Sequence, residues 1–261
     1  MMLVIKLLTT PILIALLTLI KNRYGNNIAG LFMGFPLIAG PITLFLYFEQ
    51  GVDFALSSSY YTLWGVLGVS IFCLTYCWCA IKFNLYGSLI LSLIGYGLFS
   101  YLFSNISLPA WQSFLIILMG LVICIFLSPQ LIIKKQTKIK TKKTVSIEIW
   151  LRMCFSVMLV FMVTAIAPHV GETFSGILAV FPIATITMAV FTHMESKASV
   201  ILLLRSLMFG LISLSFFYFS LLILASTINF IPSMLIALMI SIAIQFLSLR
   251  ISKKILIKKV H

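Results

Sequence analysis

Apolar residues fall in long blocks separated by short polar connections along nearly the whole chain. As helix, a block of about 20 residues crosses a hydrocarbon core of about 30 Å. Nine blocks meet that length: roughly 3–20, 28–48, 60–80, 84–103, 111–131, 147–167, 174–192, 200–224 and 231–249. None alternates apolar with polar as a barrel strand of about 10 residues does. The pattern therefore predicts an all-α integral membrane protein with nine transmembrane helices. The first block reads as a retained helix and not a cleaved leader, because it lacks a clear small-x-small site and Lys6 sits among apolar residues.

Composition sharpens the class. A mean hydropathy of +1.20, with 62% hydrophobic and 9% charged residues, lies outside the range of water-soluble domains. The net charge of +13 would suggest nucleic acid in a soluble protein, so its placement matters. Lys21 and Arg23 follow the first block, Lys82 the third, and six lysines between 134 and 143 the fifth. Lys197 follows the seventh with Arg205 nearby, and Arg250, Lys253, Lys254, Lys258 and Lys259 close the chain. The alternate connections carry Glu49 with Asp53, the neutral SNISLPA, APHVGET with Glu172, and the neutral STINFIP. Basic residues thus share one side. By the positive-inside rule that side is the cytoplasm, giving an outer N-terminus and an inner C-terminus in a cytoplasmic membrane. The lysine-rich loop is expected to lie against anionic headgroups, with no nucleic-acid partner.

Two stretches repeat. YGNNIAGLFMGFPLIAGPITLFLYFEQ from Tyr24 and VGETFSGILAVFPIATITMAVFTHMES from Val170 superpose at an offset of 146 without a gap. Gly25 falls on Gly171, Gly30 on Gly176, Phe35 on Phe181, Pro36 on Pro182 and Glu49 on Glu195. The same offset sets Lys6 on Arg152, and further on Gly87 on Ser233, Gly95 on Ser241 and Gly97 on Ala243. The chain divides into repeat 1 (1–104, four helices), a connecting helix with a basic loop (105–146), repeat 2 (147–250, four helices) and a basic tail (251–261). One odd helix between them makes the second unit enter from the opposite side. Inverted repeats of this kind build many secondary transporters.

The stretch KNRYGNNIAGLFMGFPLIAGPITLFLYFEQG, with the two blocks after it, resembles the GlpM-like family of small bacterial inner-membrane proteins. The shared pattern is a Gly-rich start, an aromatic-Pro pair and a following acid. The resemblance covers residues 3–104 and, more faintly, 149–250, so the chain is similar to two such units fused through a linker helix. It implies an inner-membrane location, a possible antiparallel pairing of units and a link to exopolysaccharide production. It brings no catalytic residues.

Pro36 and Pro182 each fall mid-block, where Pro removes a backbone donor and breaks or kinks a helix. Two symmetric breaks suggest a shared polar path; a simple bend in a packed helix is the alternative. Gly25, Gly30, Gly171 and Gly176 either allow close helix approach or, with Asn26, Asn27 and Thr173 at helix N-termini, capture an anion. Glu172 opposes a symmetric anion site and is a candidate proton carrier. Glu148 and Arg152 sit four apart and are expected to pair on one face. Lys6 with Glu49 on the outer side, and Arg152 with Glu195 on the inner, are candidate gates, against the alternative that they snorkel to the interface. His169 near Glu172 and His193 near Glu195 are candidates for titration near neutral pH. Cys73, Cys77 and Cys79 lie in an apolar block without neighbouring acids or histidines and read as packing. Trp64, Trp111 and Trp150 read as interfacial anchors. No catalytic motif, metal set or cofactor-binding loop is found.

The leading expectation is a secondary transporter or exporter of a small solute or amphiphile, working by alternating access and coupled to protons. The alternatives are a non-transporting inner-membrane factor for exopolysaccharide or envelope synthesis, or an ion channel. Expected partners are the bilayer, the solute, and a second copy or an envelope-assembly protein.

Overall fold

The computed structural model describes residues 2–36, 39–103, 108–130, 142–166 and 182–256, with side chains for 11–36, 39–103, 108–130, 147–162 and 182–252. These residues form nine helices and no strand: α1 Met2–Tyr24, α2 Asn26–Met33, α3 Ala39–Lys82, α4 Leu85–Phe103, α5 Ala110–Leu127, α6 Lys142–Ile166, α7 Ile183–Glu195, α8 Lys197–Leu224 and α9 Phe230–Leu256. Five, namely α3, α4, α5, α8 and the Phe230–Ser252 part of α9, are long and apolar enough to cross a membrane. The chain is an all-helical protein of membrane character.

Helix boundaries depart from the predicted blocks where glycine and proline intervene. The block at 28–48 is interrupted: α2 stops at Met33 and α3 starts at Ala39. Phe35 N–H reaches Phe32 O (3.2 Å), one residue short of a helical bond, and Pro36 has no N–H to continue. The expected outer connection holding Glu49 and Asp53 is helical instead. It shrinks to a bend at Gly51, whose φ of 85° and ψ of 178° only glycine adopts freely. The basic tail begins as helix, since α9 runs on to Leu256. The residues expected to start the seventh block, 174–181, lie outside the described residues.

Helix α8 is the axis of the molecule, packed against α2, α3, α5, α7 and α9. Its membrane-length window is 61% buried and that of α3 56%, against 22–33% for α4, α5 and α9, which therefore form the lipid-facing periphery. Leu207, Met208, Phe72 and Tyr76 are central in one core cluster, and Leu63, Phe217 and Ile117 in a second. Trp64 belongs to that second cluster, stacked on Phe103 at 5.3 Å, so it is no interfacial anchor; Trp111 and Trp150 are exposed.

Small residues let backbones meet. Gly30 on α2 and Gly34 capping its end, four apart, face Ser206 and Gly210 on α8, also four apart. A Cβ on Gly30 would stand 2.2 Å from Leu203 O, and one on Gly210 would stand 2.4 Å from Leu31 O. In α9 the inward residues are Ser233, Ala237, Ser241, Gln245, Ser248 and Ser252, while Leu235, Ile236, Met239, Phe246 and Leu247 face outward. Polarity is thus reversed relative to a soluble helix. Hydroxyls of Ser213, Ser215, Ser241 and Ser252 bond carbonyls one turn back in their own helices, so burial leaves them satisfied. Of the matched glycines of α4, Gly95 approaches α3, where a Cβ would stand 3.2 Å from Thr75 Oγ1, whereas Gly97 has nothing near its absent Cβ and Gly87 meets only Phe83 of the preceding turn.

Candidate functional site

The ends of α1 and α7 and the start of α6 converge on four charges. Lys21 in the last turn of α1 bonds Glu195 at the end of α7 and stands 3.9 Å from Glu148 of α6. Arg152, one turn beyond Glu148, bonds that carboxylate and also reaches Glu195 at 3.3 Å. Both cations are buried, whereas the side chains of Glu148 and Glu195 keep 15% and 28% exposure. The guanidinium also lies 3.1 Å from Met188 Sδ and 5.3 Å from the Phe191 ring, a cation–π geometry. Its Nε has no hydrogen-bond partner. Desolvating charges is expensive, so such a group persists only when opposite charges and donors are matched closely. Here two cations meet two carboxylates across three helices, and the arrangement ties those helix ends together. Adding or removing one proton, or drawing one helix away, would leave the remainder unbalanced.

A second polar joint lies at the break before Pro36. Leu31 O, freed where Phe35 N–H turns to Phe32, accepts Gln245 Nε2 of α9 at 2.9 Å. Gln245 Oε1 in turn accepts the Ser213 hydroxyl of α8 at 2.7 Å. The freed carbonyl is therefore satisfied by protein, as a non-aqueous interior requires.

The two gate pairs expected from the repeat fare differently. Arg152 and Glu195 come together, joined by Lys21 and by Glu148, which forms the expected pair with Arg152. Glu49 is exposed and has no ion pair among the described residues; the side chain of Lys6 lies outside them. His193 is buried and bonds Tyr76 OH through Nδ1 at 3.0 Å, so it is turned toward α3. Asn27 accepts a bond from Ser206 at 2.7 Å, and Asn26 is buried, so both serve the α1–α2–α8 junction. Gly25 turns the chain between α1 and α2 at φ 89°, with nothing near its missing Cβ; close approach belongs to Gly30. Phe35 and Pro36 form the break itself, and Pro182 caps the start of α7. Gly171, Glu172, Thr173, Gly176, Phe181 and His169 lie outside the described residues. Cys73 and Cys77 are fully buried in the core, Cys79 is half-buried, and among the described residues no group of His, Cys, Asp and Glu could hold a metal.

Sequence reading missed Lys21, taken for a topology marker, and Gln245, Gly34 and Arg205. The signals were present but slight: Gly30-x-x-x-Gly34 is a close-packing motif, and Gln245 and Arg205 are lone polar groups in otherwise apolar or small-residue faces. No protein-family model, curated protein or solved structure matches the chain.

Proposed function

We propose that this chain is a secondary transporter or exporter of a small solute or amphiphile, coupled to protons and working by alternating access. It lies in a bacterial inner membrane with its N-terminus outside and its C-terminus inside. Its moving parts are two inverted units, 1–104 and 147–250, joined through the connecting segment 105–146. The contact pattern supports this division. Helices of equal rank in the two units touch, α1 with α6 and α3 with α8; α4 meets α7 as α9 meets α2. The bend at Gly51 has its counterpart in the extended Ser196 between α7 and α8, one residue from the position given by the 146-residue offset.

The observation that carries the proposal is the contrast between the two membrane ends. At the basic-loop end Lys21, Glu148, Arg152 and Glu195 are locked together; Glu49, the repeat partner of Glu195, is exposed and has no ion pair among the described residues. A gate closed on the inner side and open on the outer is one state of an alternating cycle. Protonation of Glu195 or Glu148 would weaken the inner lock and supply the coupling.

The test is reconstitution into liposomes holding a pH-sensitive dye, with a pH gradient and a panel of solute classes. Solute-induced proton movement by wild type, lost in Glu195→Gln and Pro36→Ala, supports coupled transport. Silence across the panel from folded protein refutes it. That result would favour an inert factor for envelope polysaccharide assembly, the reading supported by the GlpM-like resemblance of residues 3–104; its mark would be a partner recovered on gentle purification.

A further inference from the structure

We propose that Arg205, held in place by Ser128, and Lys197 form an oxyanion-binding site at the basic-loop end, where α3, α5 and α8 meet. The inference rests on the transport reading and deepens it, making the carried solute an anion bearing a phosphate or carboxylate. Lys197, Ile201 and Arg205 are four apart and share one face of α8. That face meets two helix ends: Lys197 Nζ donates to Ile81 O at 3.3 Å, the Cys77 thiol points at Ile201 O at 3.9 Å, and Arg205 Nε donates to Ser128 Oγ at 2.8 Å. A rise of about 1.5 Å per residue sets Arg205 about 12 Å deeper than Lys197 along the helix. The face therefore offers an exposed cation at its mouth and a buried one below.

The buried one lacks a counter-charge. Arg205 is 5% exposed, its Nη2 is fully buried without a hydrogen-bond partner, and among the described residues no carboxylate pairs with it. A guanidinium stays charged, and its burial costs several kcal/mol unless compensated. The compensation present is small. Ser128, which ends α5, passes its own proton to Ile125 O at 2.6 Å and so accepts from Arg205, linking it to the α5 C-terminus. A helix C-terminus offers about half an elementary charge. The Cys77 thiol faces a carbonyl as a donor and contributes no negative charge. Arg152, at the same end of the molecule, is balanced differently: with Lys21 it shares two carboxylates. None of the four acidic residues with described side chains, Glu49, Asp53, Glu148 and Glu195, pairs with Arg205, and an anion from outside the protein would supply the matching charge. An oxyanion taking the free N–H of the guanidinium fork supplies both charge and acceptors, while Lys197 and the neighbouring basic loops draw it in. Free anions and anionic lipid headgroups share this chemistry.

The test measures binding apart from flux. Purified full-length protein in neutral detergent is melted in sodium phosphate and in sodium chloride at matched ionic strength. A second arm melts it in phosphatidylcholine nanodiscs with and without phosphatidylglycerol, in the absence of phosphate. The expected result is that phosphate raises the melting temperature of wild type beyond chloride. That rise is lost in Arg205→Gln and Ser128→Ala, partly kept in Arg205→Lys, and unchanged in Arg23→Gln, whose side chain lies over the Tyr24 ring at the end of α1. A rise with phosphatidylglycerol instead, with the same variant pattern, assigns the site to a lipid headgroup. No rise from either anion overturns the proposal, as does an equal rise in Arg205→Gln. If Arg205→Gln does not fold, Ser128→Ala and Arg205→Lys decide by the same criterion. Failure of binding leaves proton-coupled flux to be found with other solutes; failure of flux leaves a measured anion site standing.

Discussion

Replacing Gly210 by Ala tests how closely α2 and α8 must approach. Gly210 lies inside α8, where Ala is the better helix former by about 1 kcal/mol. Propensity alone therefore predicts a gain. Packing predicts a larger loss, because the new Cβ would stand 2.4 Å from Leu31 O and 3.0 Å from Gly34 Cα, both backbone atoms that no rotamer change can move. Ordinary contact starts near 3.4 Å, so the helices must part by about 1 Å along the seam. Overpacking of this kind costs about 1–3 kcal/mol, and a radial gap of about 1 Å also forfeits up to about half of each dispersion contact. The Leu31 O to Gln245 bond sits on the same joint and would lengthen with it. Taking the upper end of the clash less the propensity gain gives a net loss of about 2 kcal/mol. The assay is the unfolding midpoint of purified protein titrated with dodecyl sulfate in mild detergent, with Gly97→Ala as control. Nothing lies near the Gly97 Cβ position, so that variant should gain up to about 1 kcal/mol from propensity alone. If Gly210→Ala is as stable as Gly97→Ala, the close seam and the reasoning from it are wrong.

Four further outcomes can be read by the same unfolding measurement or by simple chemistry. Arg152→Gln leaves two carboxylates facing Lys21 alone and should cost about 3–5 kcal/mol; a loss under 1 kcal/mol would show that the charges act independently. Gln245→Leu strands Leu31 O, while the Ser213 hydroxyl keeps its bond to Gly210 O, costing about 1–3 kcal/mol, with hydrogen exchange quickening around the break at residues 32–36. Gly25→Ala and Gly51→Ala meet no steric neighbour yet should each cost about 1–3 kcal/mol, because their backbones occupy a region open essentially to glycine; parity with wild type would count against those bends. In folded protein a small lipophilic maleimide should modify exposed Cys154 rapidly and buried Cys73 and Cys77 only after denaturation. Prompt labelling of all three would refute the helix orientations.

The helical membrane character was legible because its cause is local in the chain. Bilayer thickness sets a length, and a backbone without water must satisfy itself within each segment, so apolar blocks translate directly into helices. The Phe35-Pro36 break was legible for a similar reason, since a missing N–H acts on its own turn. Pairing of Glu148 with Arg152 followed from helical spacing alone. What could not be read was which distant groups would share a space. Lys21 looked like a loop charge, yet it is buried against Glu195, and that depends on how α1, α6 and α7 converge. Gln245 found its partner 214 residues away, at a carbonyl that exists as a free acceptor only because α2 ends early. Trp64 has an interfacial anchor's composition and a core residue's position, because the rotation of α3 turns it toward Phe103. Hydrophobicity and chain chemistry determined by themselves that this protein is a bundle of membrane-type helices with two marked proline positions. Tertiary structure decided which charges balance, which glycines touch and which cation is left without a counter-charge. Those are properties of neighbours, and in an apolar medium every helix hides its identity from the next until small residues and polar groups lock a single arrangement.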